Sequence, residues 1–249
     1  MSIISRRNLL GATAAFALAA SGAQAQAVKE IRLDFATYNP VSLLLKERGL
    51  LEKEFATDGI SIRWVQSLGS NKALEFLNAS SIDFGSTAGA AALLARANSN
   101  PIKSVYVYSR PEWTALVTTP KTGISSVVDL KGKRVAVTRG TDPHIFLIRA
   151  LREARLTERD VRFVLLQHQD GRTALERGEV DAWAGLDPLM AAAEIEAGAK
   201  LFHRKPEANT LGVLNVREDF AKAHPQLVDR VLKVYEEGRK LALAEPTAV

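Results

Sequence analysis

The residues in this chain that could do chemistry gather where short apolar runs give way to helical stretches. The corners are Thr37-Tyr38-Asn39, Ser67-Leu68-Gly69-Ser70, Ser86-Thr87-Ala88-Gly89, Gly140-Thr141-Asp142, Gln169-Asp170-Gly171 and Asp187-Pro188. They combine hydroxyl, amide or carboxyl groups with small residues. The chemistry this suits is the capture of an anion. A helix start offers free N–H groups and a positive dipole end, hydroxyls add directed donors, and small residues let the backbone approach a ligand. Ser, Thr, Asp and Asn are also the preferred helix N-caps, so each corner taken alone has a purely structural reading. Charged candidates are few. Arg110 has the planar donors that pair with an anionic group, and His144 stands one turn into a helical stretch. Of the three tryptophans, Trp64 and Trp183 read as core, and Trp113 as the one that borders a cleft.

Much else is excluded. The chain has no cysteine, hence no disulfide, thiolate metal site or cysteine nucleophile. Its four histidines show no His-x-x-x-His spacing, so neither a metal nor a cofactor is expected. The dinucleotide and P-loop glycine motifs are missing, as is the Gly-x-Ser-x-Gly elbow of hydrolases. No nucleophile, base and orienting group fall in a catalytic spacing.

The elements that must position these corners follow from periodicity. Apolar runs at 31–37, 60–66, 81–87 and 104–110 read as strands, with helical stretches between them. Asn39, Pro40 and Gly49 are placed to cap, start and end the first helix. The cycle then restarts with strands at 133–140, 161–167, 180–186 and 199–204. Asp142 reads as the N-cap of the helix between the first two, with Pro143 at its first position, and Asp187-Pro188 opens a later one. Alternating strands and helices predict parallel sheets covered on both faces. Between the sets lies "EWTALVTTP", an apolar run with no helix after it, and after the second set "LGVLNVRED" at 211–219 plays a similar role. Two α/β lobes joined by two crossings, with a cleft between them, fit this pattern. A single large doubly wound domain is the alternative.

The first 27 residues read as an export signal, not as part of the fold. Arg6-Arg7 precedes an apolar run of about 12 residues, short of the ~20 that a membrane span needs. The run is followed by small residues, with cleavage expected near Ala25 or Ala27. The paired arginines in "SRRNLL" resemble a twin-arginine signal, with an ordinary secretory signal as the alternative. Of the 33 basic residues two fall in that leader, against 28 acidic residues elsewhere, which leaves a net charge of +3. No block of Lys or Arg accompanies it, so nucleic acid is not an expected partner.

Several stretches together resemble a known family. They are "ALEFLNASSIDFGSTAGAAALLA", "VVDLKGKRVAVTRGTDPHIFLIRALREARL", "ALERGEVDAWAGLDPLMAAAE" and "VREDFAKAHPQLV". They are similar to the periplasmic substrate-binding proteins of ABC importers for aliphatic sulfonates, taurine and nitrate, over about 29–245. The resemblance implies an α/β, two-lobed type II binding-protein fold with parallel-rich sheets. One lobe would comprise 28–112 with 213–249, the other 113–212, hinged near 112–116 and 210–214. It implies a non-enzymatic, monomeric periplasmic protein. Such a protein closes on a small anionic ligand, most closely an aliphatic sulfonate, and delivers it to an ABC permease and its ATPase in the inner membrane. It also implies that the C-terminal part of the first lobe is truncated here. The alternatives are another small-anion binding protein, an enzyme resembling thiamine-pyrimidine synthases on the same scaffold, and a sensory domain.

Carried over by position, the resemblance gives Ser86, Thr87, Thr141, His144 and Asp187 as ligand residues. The corners and the charged candidate add Asn39, Ser70 and Arg110. Asp142 stands where the family has a neutral Ser or Asn, and Leu186 where many members have Trp. A carboxylate facing a sulfonate would repel it. Asp142 therefore either caps its helix, leaving ligand contact to Thr141, or faces the site; the residues leave both open.

Overall fold

The computed structural model describes residues 28–245, so the expected export leader lies outside the described residues. The chain forms two five-stranded sheets flanked by helices. The first half opens with β1 (Glu30–Phe35), α1 (Pro40–Arg48), α2 (Leu50–Phe55), β2 (Ser61–Gln66) and α3 (Ser70–Asn78). It continues with β3 (Phe84–Ala88), α4 (Gly89–Ala97) and β4 (Ile102–Ser109). The second half holds β5 (Leu116–Thr118), β6 (Arg134–Val137), α5 (Asp142–Glu153), β7 (Arg162–Leu165) and α6 (His168–Glu176). After β8 (Ala182–Ala184), α7 (Leu189–Ala197) and β9 (Lys200–His203), the chain returns through β10 (Gly212–Arg217), α8 (Glu218–Ala223) and α9 (Pro225–Ala244).

Strand order is β2-β1-β3-β10-β4 in one sheet and β7-β6-β8-β5-β9 in the other. The βαβ rhythm predicts parallel neighbours, and β1 is indeed parallel to β2 and β3, as β6 is to β7 and β8. The sheets are nevertheless mixed. β10 runs antiparallel to β3 and β4, and β5 antiparallel to β8 and β9. These two strands are the apolar stretches at 112–120 and 211–219. Each enters its sheet straight from the other half, with no helix to carry the chain back to the sheet's starting edge, so it runs against its neighbours.

The same clasp closes both sheets. Arg32 grips Asp83 with Nε (3.0 Å), a terminal guanidinium nitrogen (2.6 Å) and its own backbone N–H (2.9 Å). Arg134 grips Asp181 in the same three ways, at 3.2, 2.9 and 2.8 Å. Each pair ties the first parallel strand of its sheet to the approach of the third. The two aspartates sit in the Ile-Asp-Phe-Gly and Val-Asp-Ala-Trp stretches that carry much of the sequence resemblance.

Local chemistry sets the helix ends. Asn39 caps α1 as expected, its Oδ1 accepting from the Ser42 N–H at 3.3 Å, and Gly49 ends the helix in the left-handed region at φ 60°. Asp142 does not cap α5. Thr141 occupies the N-cap position, and Asp142 and Pro143 are the first two helical residues. The Asp142 carboxylate is drawn instead to donors on other segments. The long α9, not foreseen from the sequence, packs Val228, Val231, Val234 and Tyr235 onto the first sheet's core with Val41 and Leu45 of α1.

Candidate functional site

A small buried cavity lies where the two halves meet. Tyr38, Ser70 and Ala88 line it from the first half, and Thr141, Asp142, Pro143, His168 and Leu186 from the second, with Trp113 on the crossing between them. Its volume is about 10 Å³, room for about one water. A larger solute enters only if the walls part.

Helix starts form most of the lining. Ser70 is the first residue of α3, Thr141, Asp142 and Pro143 open α5, and His168 is the first residue of α6. None of these three helices has a side-chain cap bond at its N-terminus. By contrast, Asn39 caps α1, and Asp187 Oδ1 accepts from Ala191 N–H (3.2 Å) in α7. The start of α4 is served by the return crossing: Gly89 N–H bonds the Leu211 carbonyl (2.8 Å) and Ala90 N–H the Thr210 hydroxyl (3.2 Å). Buried helix ends without caps leave first-turn N–H groups for a ligand or water to satisfy. Three such ends, one from the first half and two from the second, converge here.

The side chains add to this. Ser70 Oγ accepts from Ala88 N–H at 3.0 Å, which leaves its own proton to donate. His168 is only 2% exposed, and neither ring nitrogen has a partner. Burial alone holds its pKa down at about 4, so at neutral pH the ring is uncharged, with one donor and one acceptor. No Lys or Arg lines the cavity. Asp142, 2% exposed, brings the one formal charge, and it is occupied. Its Oδ2 accepts from Trp113 Nε1–H (2.8 Å) and Thr210 N–H (2.9 Å), and its Oδ1 from the Thr210 hydroxyl (2.9 Å).

Of the residues expected from sequence, Ser70, Thr141 and Asp142 come together at the cavity. The Thr141 hydroxyl donates to the Thr138 carbonyl at 2.6 Å, so its remaining capacity is as an acceptor and through its backbone. Ser86 and Thr87 are fully buried in the first sheet. Ser86 gives both its N–H and its hydroxyl to Asp34 (2.8 Å each), and Thr87 Oγ1 accepts from Asn215 (2.8 Å). Ser86 still serves the site indirectly, since its carbonyl accepts from the Tyr38 hydroxyl at 3.0 Å. Asn39 lies behind Tyr38 as a cap, and Arg110 is exposed on the outgoing crossing. His144 packs edge-on against Phe163, and burial lowers its pKa. Asp187 is half-buried beside Leu186, and burial raises its pKa.

The sequence reading missed His168 as a lining residue, and at the Thr37-Tyr38-Asn39 corner it chose Asn39 where Tyr38 lines the cavity; Leu186, noted as standing in a Trp position, lines it as well. For His168 a signal existed: the strand-to-helix corner after β7 falls at Gln167-His168, two residues before the Gln169-Asp170-Gly171 assigned to it. Trp113 borders the cavity as expected and stacks edge-on with Tyr38 at 6.4 Å.

Two α/β halves, two crossings and a site between them define the periplasmic-binding-protein fold. The chain belongs to the NMT1/THI5-like family, whose description matches residues 53–249. It is similar to an Escherichia coli (strain K12) protein provisionally named an aliphatic sulfonates-binding protein, 32% identical over 205 residues. That match covers 82% of this chain and 64% of the relative, so the chain spans somewhat less than two thirds of that protein. The E. coli taurine-binding periplasmic protein is 27% identical over 99% of this chain and 75% of its own length. Among solved structures, the alkanesulfonate-binding protein SsuA from Xanthomonas axonopodis pv. citri bound to MOPS superposes with a TM-score of 0.81. It is 28% identical, covering 88% of this chain and 76% of that one.

Proposed function

We propose that this chain is the solute-binding component of an ABC import system, exported to the periplasm, that captures a small organic anion, most closely an aliphatic sulfonate. The observation that carries this reading is the convergence of three uncapped helix N-termini on one buried cavity with no basic side chain. Such a site suits a strong-acid anion, which takes hydrogen bonds from N–H and O–H donors and needs no counter-charge. The Ser70 hydroxyl and the His168 N–H add to the donors for the head group. Tyr38, Trp113, Leu186 and Pro143 give the apolar wall that an alkyl tail needs. The names of the relatives agree with this ligand class. Closure on the ligand then presents one compact surface to a permease and its ATPase. No catalysis is proposed.

Native mass spectrometry of gently purified protein, followed by calorimetric titration with C2–C6 alkanesulfonates, taurine and nitrate, tests the reading. Saturable binding of a sulfonate with a dissociation constant in the micromolar range or below is the expected result. No heat with any of these anions removes the ligand assignment.

A further inference from the structure

Asp142 has no partner in its own helix. All three of its hydrogen bonds come from the two crossings: Trp113 stands on the outgoing one and Thr210 on the returning one. The Thr210 hydroxyl that donates to Asp142 also accepts from the Ala90 N–H of α4, in the other half. One carboxylate at the start of α5 thus joins the second sheet's helix layer, both crossings and the first half. Nearby bonds run between the crossings alone. Thr114 N–H donates to Asn209 Oδ1 at 2.8 Å, and Arg204 pairs with Glu112 at 2.9 and 2.7 Å. Those can persist whatever the angle between the halves. The Asp142 bonds reach further, because the Thr210 hydroxyl they hold continues to the Ala90 N–H of the first half.

We propose that Asp142 is a positioning residue for ligand capture: its carboxylate latches α5 to Trp113 and Thr210 when the cleft is closed, and so sets affinity without touching the ligand. This rests on the solute-binding reading above. The latch also fixes a wall of the site, since the Trp113 ring whose N–H it accepts lines the cavity. A carboxylate fits the position because every group facing it is a donor. Its charge is spent on those donors, so it can stand beside an anion site.

The substitutions grade the effect. Asp142→Ala removes every latch bond. Asp142→Asn keeps an oxygen for the Trp113 and Thr210 N–H pair and turns an amide toward the Thr210 hydroxyl. Thr210→Val removes the hydroxyl relay to Ala90 and leaves the carboxylate in place. Titration with the tightest-binding alkanesulfonate is expected to show about a tenfold or greater loss of affinity for Asp142→Ala, carried by faster dissociation, since only the closed state is disfavoured. Thr210→Val should lose severalfold, and Asp142→Asn should stay within about threefold of the parent protein. Small-angle scattering of the ligand-free proteins should give a larger radius of gyration for Asp142→Ala than for the parent. Unchanged affinity and radius would overturn the latch. So would tighter binding, which would mean that the carboxylate repels the anion or holds the cleft shut against it. If Asp142→Ala does not fold, Thr210→Val carries the test. If the parent protein binds no anion, the solute-binding reading fails, and the scattering comparison still decides whether the latch exists.

Discussion

Two buried titratable groups, one near the cavity wall and one in it, pull stability in opposite directions as pH changes. Asp34 is fully buried and accepts from Ser67 Oγ (2.6 Å) and from Ser86 N–H and Oγ (2.8 Å each). Burial outweighs these bonds and raises its pKa to about 6. His168 is lowered to about 4 by burial. Between about pH 4 and 6.5 the unfolded histidine holds a proton that the folded one refuses, so the His168 contribution to stability falls as pH drops through that window. Between about pH 3.8 and 6 folded Asp34 holds a proton that the unfolded chain has released, so its contribution falls as pH rises. The two nearly offset each other. Replacing His168 with Phe should expose the imbalance. Relative to the parent protein, His168→Phe should gain on the order of 2 kcal/mol as pH is lowered from 7 to 4.5, read from urea unfolding. A difference that does not change with pH would show that His168 is not held neutral by burial.

At the scale of elements, the sequence rhythm located strands and helices well, but not the places where a neighbouring segment decides. Asn39-Pro40 marked the start of α1 correctly because its cap bond is local, from Oδ1 to a backbone N–H three residues on. The same logic failed at Thr141-Asp142, since Asp142 found stronger donors on Trp113 and Thr210, remote in sequence. Strand direction in β5 and β10 was equally illegible, because it depends on which half the chain arrives from. Ser86 and Thr87 have the right types for ligand contact, but Asp34 and Asn215 claim them within the sheet. The Arg–Asp clasps give this level its prediction. Asp83 is 2% exposed with Arg32 at 24%, and a second arginine, Arg217, lies 3.8 Å away. Asp181 and Arg134 are 25% and 43% exposed. Removing a buried partner strands its charge, at a cost of about 3–5 kcal/mol, whereas an exposed pair contributes about 0–1 kcal/mol. Asp83→Asn should therefore lower the melting temperature several degrees more than Asp181→Asn in paired calorimetric scans. Equal losses would mean that the two clasps are energetically alike despite their burial.

For the molecule as a whole, the absence of Lys and Arg from the cavity makes a prediction about salt. A ligand held by buried helix ends is screened little, because ions do not enter between the charge and its donors. A ligand held by an exposed cation such as Arg110 would lose its attraction once the Debye length shrinks to a few ångströms. Any ligand that binds the folded chain alone stabilises it by mass action. At about a hundred times the dissociation constant the gain is about 2.7 kcal/mol, or roughly 5–10 °C in melting temperature for a chain of this size. With affinity weakened tenfold, as expected for Asp142→Ala, the gain at the same ligand concentration falls to about half. Raising salt from about 0.05 M to about 0.5 M should leave the parent's ligand-induced shift nearly intact, because the helix-end contacts lie inside the closed halves. The exposed Glu112–Arg204 pair on the crossings will be screened over that range, but such pairs contribute little to begin with. If the shift instead collapses with salt and is lost in Arg110→Ala, the anion is anchored at the rim of the cleft, and the cavity at the helix starts is not where its charge is held.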